Sequence, residues 1–188
     1  MLRKLLIHSF LLIACVCFHS KVSAQYLEVD TAAYLEWSDD LYVSWKDYQF
    51  REQLLADDVG MALTSVIHSV RGGIIKGAPK FEVKVLFVKK DSWTTDSTSI
   101  TLLAHEKLHF DIAELYGRKI RKQIDELIKR GERDLKIYNK NVKQLLGDFK
   151  RYSHNYDKET RHGKDFDKQK RWFDAVYSEL DRLKVYYK

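Results

Sequence analysis

The segment His105-Glu106-Lys107-Leu108-His109 is an H-E-x-x-H motif. Residues four apart stand about 40° apart around an α-helix, so both imidazoles leave one face and can reach one ion at about 2.0–2.1 Å. Glu106 stands beside that face. There a carboxylate can take a proton from a zinc-bound water and later give it to a leaving amine. Only five histidines lie beyond residue 24, and a chance H-E-x-x-H among them is about a 1% event.

A catalytic zinc usually takes three protein ligands and keeps one position open. On a regular helix Asp111 and Glu114 fall near 240° and 180° from His105, away from its face. The third ligand must therefore come from another element. Lys129-Arg130-Gly131 reads as a helix end, with cations in the last turn and glycine just past it. From His109 to Gly131 the helix runs about 33 Å, and a second helix folding back over that length ends near His154. The segment Tyr156-Asp157-Lys158-Glu159-Thr160-Arg161-His162-Gly163 then returns to the level of the motif. His162 is the favoured third ligand, followed by Glu159, by analogy with zincins that use a glutamate on a second helix, and then by Asp157. His154 reads as a surface residue, and His68 as a packed or edge residue.

Two regions supply these elements. Residues 25–97 carry 8 basic and 12 acidic residues and read as mostly extended. Leu35–Trp37 and Leu41–Trp45 look like strands around a turn, Arg51–Ala56 like a short helix, and Met61–Val70 and Phe81–Val88 like strands. Residues 98–188 carry 22 basic and 15 acidic residues and have helical periodicity. One helix starts near Ser97–Ser99. A second carries Leu135, Tyr138, Val142, Leu145, Phe149 and Tyr152, and a third Phe166, Gln169, Phe173, Val176, Leu180 and Leu183; such stripes are core. The expected fold is α+β in one domain spanning residues 25–188. A small, mostly antiparallel sheet precedes the motif helix, an antiparallel helical hairpin and a third helix.

Residues 1–24 read as a secretory signal: Arg3 and Lys4, an apolar stretch from Leu5 to Phe18, then Val22-Ser23-Ala24. The expected location is secreted or periplasmic. Leu12-Ile13-Ala14-Cys15 offers a less favoured alternative, a lipoprotein anchored through Cys15. Cleavage after Ala24 removes both cysteines, and with them disulfides, thiol catalysis and Cys-ligated zinc. It leaves no transmembrane anchor. The formal charge of the whole chain is +6, but its cations are interleaved with acids on helix surfaces, so no nucleic-acid partner is expected.

The stretch from Leu103 to Arg118, with its Leu-x-His-Glu-x-x-His-Phe-Asp-Ile core, resembles a family of exported bacterial proteins described as zinc-dependent proteases, an H-E-x-x-H domain of unknown function. Tyr156–Gly163 matches that family's Tyr-Asp-x-Glu-Thr-x-His-Gly block, and Gln169, Trp172, Trp45, Asp47 and Ser92-Trp93 match further landmarks. Lys107 stands where the family carries glutamine, at about 200° on the helix and away from the metal. The resemblance implies a zincin-like fold, zinc, and a peptide or protein substrate. It also implies that Asp111 and Glu114 support the site or link its helix to the sheet, pairing with Arg118 or Arg121. Asp157 and Thr160 would orient an imidazole, with Glu159 in the same supporting set. Tyr156 would donate to an oxyanion, with Tyr116 the weaker candidate.

The expected function is an exported zinc metallopeptidase with Glu106 as general base and His105, His109 and His162 as metal ligands. In zincin-like enzymes an edge strand binds the extended substrate, and Phe81–Val88 is the natural candidate. The rivals are a non-catalytic envelope binding module with a structural or vestigial metal, and a hydrolase acting on a non-peptide amide such as one in cell-wall material.

Overall fold

The computed structural model describes residues 30–56, 58 and 60–187. The expected signal peptide and Cys15 lie outside them. The fold is α+β. A long hairpin forms the main sheet, from β4 (Val66–Ile75) and β5 (Ala78–Val88). Its turn is Lys76-Gly77, both at positive φ (49° and 77°), the backbone that a two-residue hairpin requires. β1 (Tyr34–Glu36) adds antiparallel to the other side of β5 and completes the order β1-β5-β4. A second small sheet holds β2 (Gln49–Phe50), β6 (Trp93–Thr94) and β3 (Ala62–Leu63), with β2 parallel and β3 antiparallel to β6.

Three expectations change here. Phe81–Val88 is not an edge: β4 pairs along it on one side, β1 takes residues 86–88 on the other, and Trp37 N–H bonds Val85 O at 2.9 Å. Leu35 and Trp37 share the core beneath the sheet, so burying them occupies that edge. Leu41–Ser44 is not a strand. The Asp47 carboxylate accepts from the Ser44 N–H at 3.0 Å and drives a 3₁₀ turn at Trp45–Asp47, a local bond that competes with sheet pairing. Arg51–Ala56 is not a helix. Arg51 lies over the Trp93 ring at 4.1 Å and extends the β2–β6 pairing through Thr94 O, while Asp58 accepts from the Leu55 N–H.

Three helices follow. In α1 (Ile100–Lys129) the Ser99 hydroxyl caps the start by accepting from Leu102 N–H. At its end Gly131 (φ 77°) donates to Ile128 O, and Glu132 donates to Leu127 O. This double bond pattern closes a helix and turns the chain. Then come α2 (Leu135–Thr160), capped by Asp134, and α3 (Phe166–Arg182), capped by Asp165. The break at Gly131 thus returns α2 along α1. None of these helices is long and apolar enough to cross a membrane.

α1 is the spine of the core. Its Phe110 and Ala113 pack under the sheet against Val85, Phe87 and Trp37. Leu108, Ile112 and Leu115 pack against Tyr156 of α2 and Val176 and Leu180 of α3. Ile120, Ile124 and Leu127 meet Val83 and Tyr138 at the far end. Helix and sheet touch at Gly117, where a Cβ would sit 2.5 Å from Val85 Cγ2. Alongside, His68 of β4 bonds Ala113 O through Nε2 at 2.7 Å and sets its ring edge-on to Phe149.

Two predictions follow from this packing. Helix propensity alone favours Gly117→Ala by about 1 kcal/mol, yet we expect it to destabilise by about 1–3 kcal/mol, because rigid Val85 must move. A higher urea midpoint in the variant would refute the contact. Burial pushes the His68 imidazole down to about 4, against the raising effect of its bond to Ala113. A group depressed in the folded state contributes stability above its unfolded value, about 6.5, and loses it as pH falls through that window. Urea midpoints should therefore decline from pH 7 toward pH 4, by up to about 3 kcal/mol, and His68→Phe should flatten that decline. Equal slopes in the two proteins would assign the decline to other groups.

Candidate metal centre

His105 and His109 leave one face of α1 near its N-terminus, and the reversal at Gly131 brings α2 across that face. Asp157 Oδ1 lies 3.1 Å from His105 Nε2 and 2.9 Å from His109 Nε2. His105 is 1% exposed. Behind it Tyr156 is fully buried and stacks on its ring with centroids 4.5 Å apart. The other ring nitrogens are also held: His105 Nδ1 is 3.1 Å from Gln169 Oε1 on α3, and His109 Nδ1 is 2.9 Å from Ser153 Oγ on α2.

His162 comes from the turn after α2. Arg161, His162 and Gly163 all have positive φ (54°, 54° and 77°). A Cβ on Gly163 would lie 2.9 Å from His105 Cβ and 3.0 Å from its Cγ, so only glycine lets this turn close over the ring. His162 Nδ1 lies 3.6 Å from Asp157 Oδ1, and His105, Asp157 and His162 each offer a ligand atom within 4.8 Å of the others.

Charges at this crossing depend on one another. Burial alone would lower the His109 imidazole, but its bond to Asp157 and the charges of Glu106 and Asp157 outweigh that and raise it. Burial alone would raise Asp157, but the two imidazoles hold its carboxyl far below the usual carboxylate range. Glu106 is 4% exposed, and the Thr64 hydroxyl, between β3 and β4, lies 2.8 Å from its Oε2 and 3.0 Å from its backbone oxygen.

Of the expected third ligands, Asp157 lies nearest both motif histidines, and His162 shares ligand reach with His105 and Asp157. Asp157 stands inside the last turns of α2 and faces α1 directly; His162 stands beyond the helix. Glu159 points elsewhere, its Oε2 accepting from Trp172 Nε1 at 2.9 Å. Tyr156 is no oxyanion donor. Its hydroxyl donates to His105 O at 3.1 Å and accepts from Gln169 Nε2, with no surface left for substrate. Tyr116 packs against Phe149 and Tyr152. The buried Thr160 hydroxyl bonds Tyr156 O at 2.7 Å and receives Gly163 N–H, so it shapes the turn and touches no imidazole. Asp111 accepts from Trp37 Nε1 and Tyr177 OH, both at 2.9 Å, tying α1 to the β1 segment and to α3. Glu114 pairs with Arg118 and Arg121, and Arg121 in turn bonds Val83 O of β5.

Ser153, Gln169 and Thr64 were not expected at the site. Ser153 carries a readable signal, since it stands four residues before Asp157 and so shares its helix face. Gln169 carries two signals, a place in the inward stripe of the third helix and a landmark of the resemblance, but neither points to His105. Thr64 lies between strands, where no periodicity marks it.

The family described as "Bacterial protein of unknown function (DUF922)" matches residues 69–163, just over half of the chain, running from β4 through the turn that carries His162. No curated protein and no solved structure matches the chain. Both histidines of the motif and Asp157 fall inside the matched residues, and the chain belongs to this bacterial family of unknown function.

Proposed function

We propose that this chain is an exported zinc-dependent hydrolase, a metallopeptidase in which His105, His109 and Asp157 hold the ion and Glu106 is the general base. One observation carries this reading: Asp157 Oδ1 meets the Nε2 atoms of both motif histidines at 3.1 and 2.9 Å. Ligand atoms at about 2.0–2.2 Å around a tetrahedral zinc stand about 3.3–3.5 Å from one another. The two histidine–carboxylate spacings lie somewhat under that range, His162 joins His105 and Asp157 within ligand reach, and imidazoles with one carboxylate are a donor set that zinc accepts. When bound, zinc supplies Lewis acidity toward an amide carbonyl and an attacking water.

The chain's own residues supply the rest. Glu106 takes the proton of the attacking water and delivers it to the amide nitrogen, which then leaves as a neutral amine. Thr64 restrains one oxygen of that carboxylate, leaving the other for the proton. A structural zinc has no use for a carboxylate at this position, which favours catalysis. Export rests on the signal-like pattern of residues 1–24, and it places the substrate, a peptide or protein, in the periplasm or outside the cell.

A second reading has its own observation. With His162 Nδ1 3.6 Å from Asp157 Oδ1, the donors number four, the closed set of a structural zinc. The chain would then be a non-catalytic envelope module.

Purified protein lacking residues 1–24 should contain about one zinc per chain. His105→Ala, His109→Ala and Asp157→Ala should abolish it, while Glu159→Gln should not. Zinc unchanged in the first three would sink the site. Glu106→Gln should keep its zinc but lose about 10²–10⁴-fold in kcat/KM on a cleavable peptide; a variant as active as wild type would remove the general base from the scheme. His162→Ala separates the two readings. Catalysis expects zinc affinity to fall by no more than about 10–100-fold. A structural site expects a chelator to strip this variant orders of magnitude more easily.

A further inference from the structure

We propose that Gln169 is a positioning residue that fixes the tautomer of His105, so that the Nε2 lone pair faces Asp157 and the metal position; this rests on the zinc reading above. The argument starts from a group with no choice. His105 O is a backbone carbonyl and can only accept, so the Tyr156 hydroxyl 3.1 Å away must donate to it. With its proton spent there, the phenol oxygen can only accept from Gln169, which must present its amide nitrogen, Nε2, to that oxygen. The amide oxygen is then turned toward His105, 3.1 Å from Nδ1. An amide oxygen only accepts, so Nδ1 carries a hydrogen, and in a neutral imidazole Nε2 is bare.

A bare nitrogen now faces a carboxylate oxygen at 3.1 Å. Two acceptors at that distance repel unless a cation stands between them, either a proton or a metal ion. Gln169 thereby makes the His105–Asp157 gap a place where positive charge is favoured, and it does so from α3, outside the motif helix. His109 lacks this restraint. Its Nδ1 faces the Ser153 hydroxyl, which can donate or accept and so permits either tautomer. The two motif histidines are thus unequal: His105 is pre-set, and His109 adapts.

The test reads the proton directly. In metal-free protein with ¹⁵N-labelled histidine, at a pH where His105 is neutral, two-bond ¹H–¹⁵N correlations should show it protonated at Nδ1. Gln169→Leu, which neither donates nor accepts, should shift it toward the Nε2–H form and weaken zinc about 10–100-fold. Gln169→Glu keeps an acceptor for Nδ1–H, though not the donor to the Tyr156 oxygen, and should retain the tautomer. Tyr156→Phe frees the amide to rotate and should produce a smaller shift in the same direction. An Nε2–H His105 in the wild type overturns the proposal, whether or not zinc binds. So does Gln169→Leu with tautomer and affinity unchanged and only the melting temperature lowered, for that is what a packing role predicts. A wild type that holds the Nδ1–H form but takes up no zinc overturns the zinc reading and leaves the role of Gln169 in place.

Discussion

The structure turns on one crowded contact: the Asp157 carboxylate set between two imidazoles at the crossing of α1 and α2. Removing these groups from water is costly unless each ring nitrogen and carboxylate oxygen finds a partner. The crossing partners all four ring nitrogens of the two motif histidines and one oxygen of Asp157. The motif face of α1 supplies the histidines, and α2 supplies Asp157 and Ser153. The Gln169 amide comes from α3, and the Tyr156 ring covers the rear by stacking on His105 and bonding its carbonyl oxygen. No helix completes the arrangement alone, so it forms only when all three are packed.

That packing depends on α1 being long enough, at 30 residues, to serve three neighbours. Its apolar residues meet the sheet through Phe110 and Ala113, α2 and α3 through Leu108 and Ile112, and the far end of the hairpin through Ile124 and Leu127. Polar residues on its flanks act as ties: Asp111 to Trp37 and Tyr177, and Glu114 through Arg121 to β5. These ties fix the rotation of α1 about its own axis. A helix rotated by one residue, about 100°, would carry His105 away from Asp157; the carboxylates behind the motif therefore govern the geometry in front of it.

Much of this was legible in the chain. The four-residue spacing of the histidines, the helical periodicity after residue 98 and the glycine at 131 are local signals, and local signals survive folding. Gly131 was the most informative, since its left-handed backbone is what returns residues 156–163 to the motif. The misreadings share a cause. Leu41–Ser44 and Arg51–Ala56 lost their expected conformations to side-chain bonds from Asp47 and Asp58 that sequence does not order by strength. Phe81–Val88 alternates as any half-buried strand does, and alternation is silent on whether a third strand will occupy its edge. The resemblance implied an oxyanion role for Tyr156, but only the fold shows its hydroxyl spent on a backbone carbonyl. Gln169 is 64 residues from His105, and no spacing rule relates them.

Asp157 and His162 are anchored differently, and the difference bears on how each could hold an ion. A first ligand should be held rigidly, because each soft torsion raises the entropy lost when an ion is bound. Asp157 has one short side chain on a helix that Tyr156 and Thr160 anchor in the core, so its carboxylate faces the histidines with little freedom to lose. His162 stands past the last helical residue, between two other residues of positive φ, with 40% of its side chain exposed. Its place depends on Gly163 lying flat on the His105 ring, a close approach that any Cβ would break. The imidazole is thus placed by the turn, whereas the carboxylate is placed by the helix. Under the zinc reading, the helix-borne carboxylate is the stiffer donor and the turn-borne imidazole the more exposed one.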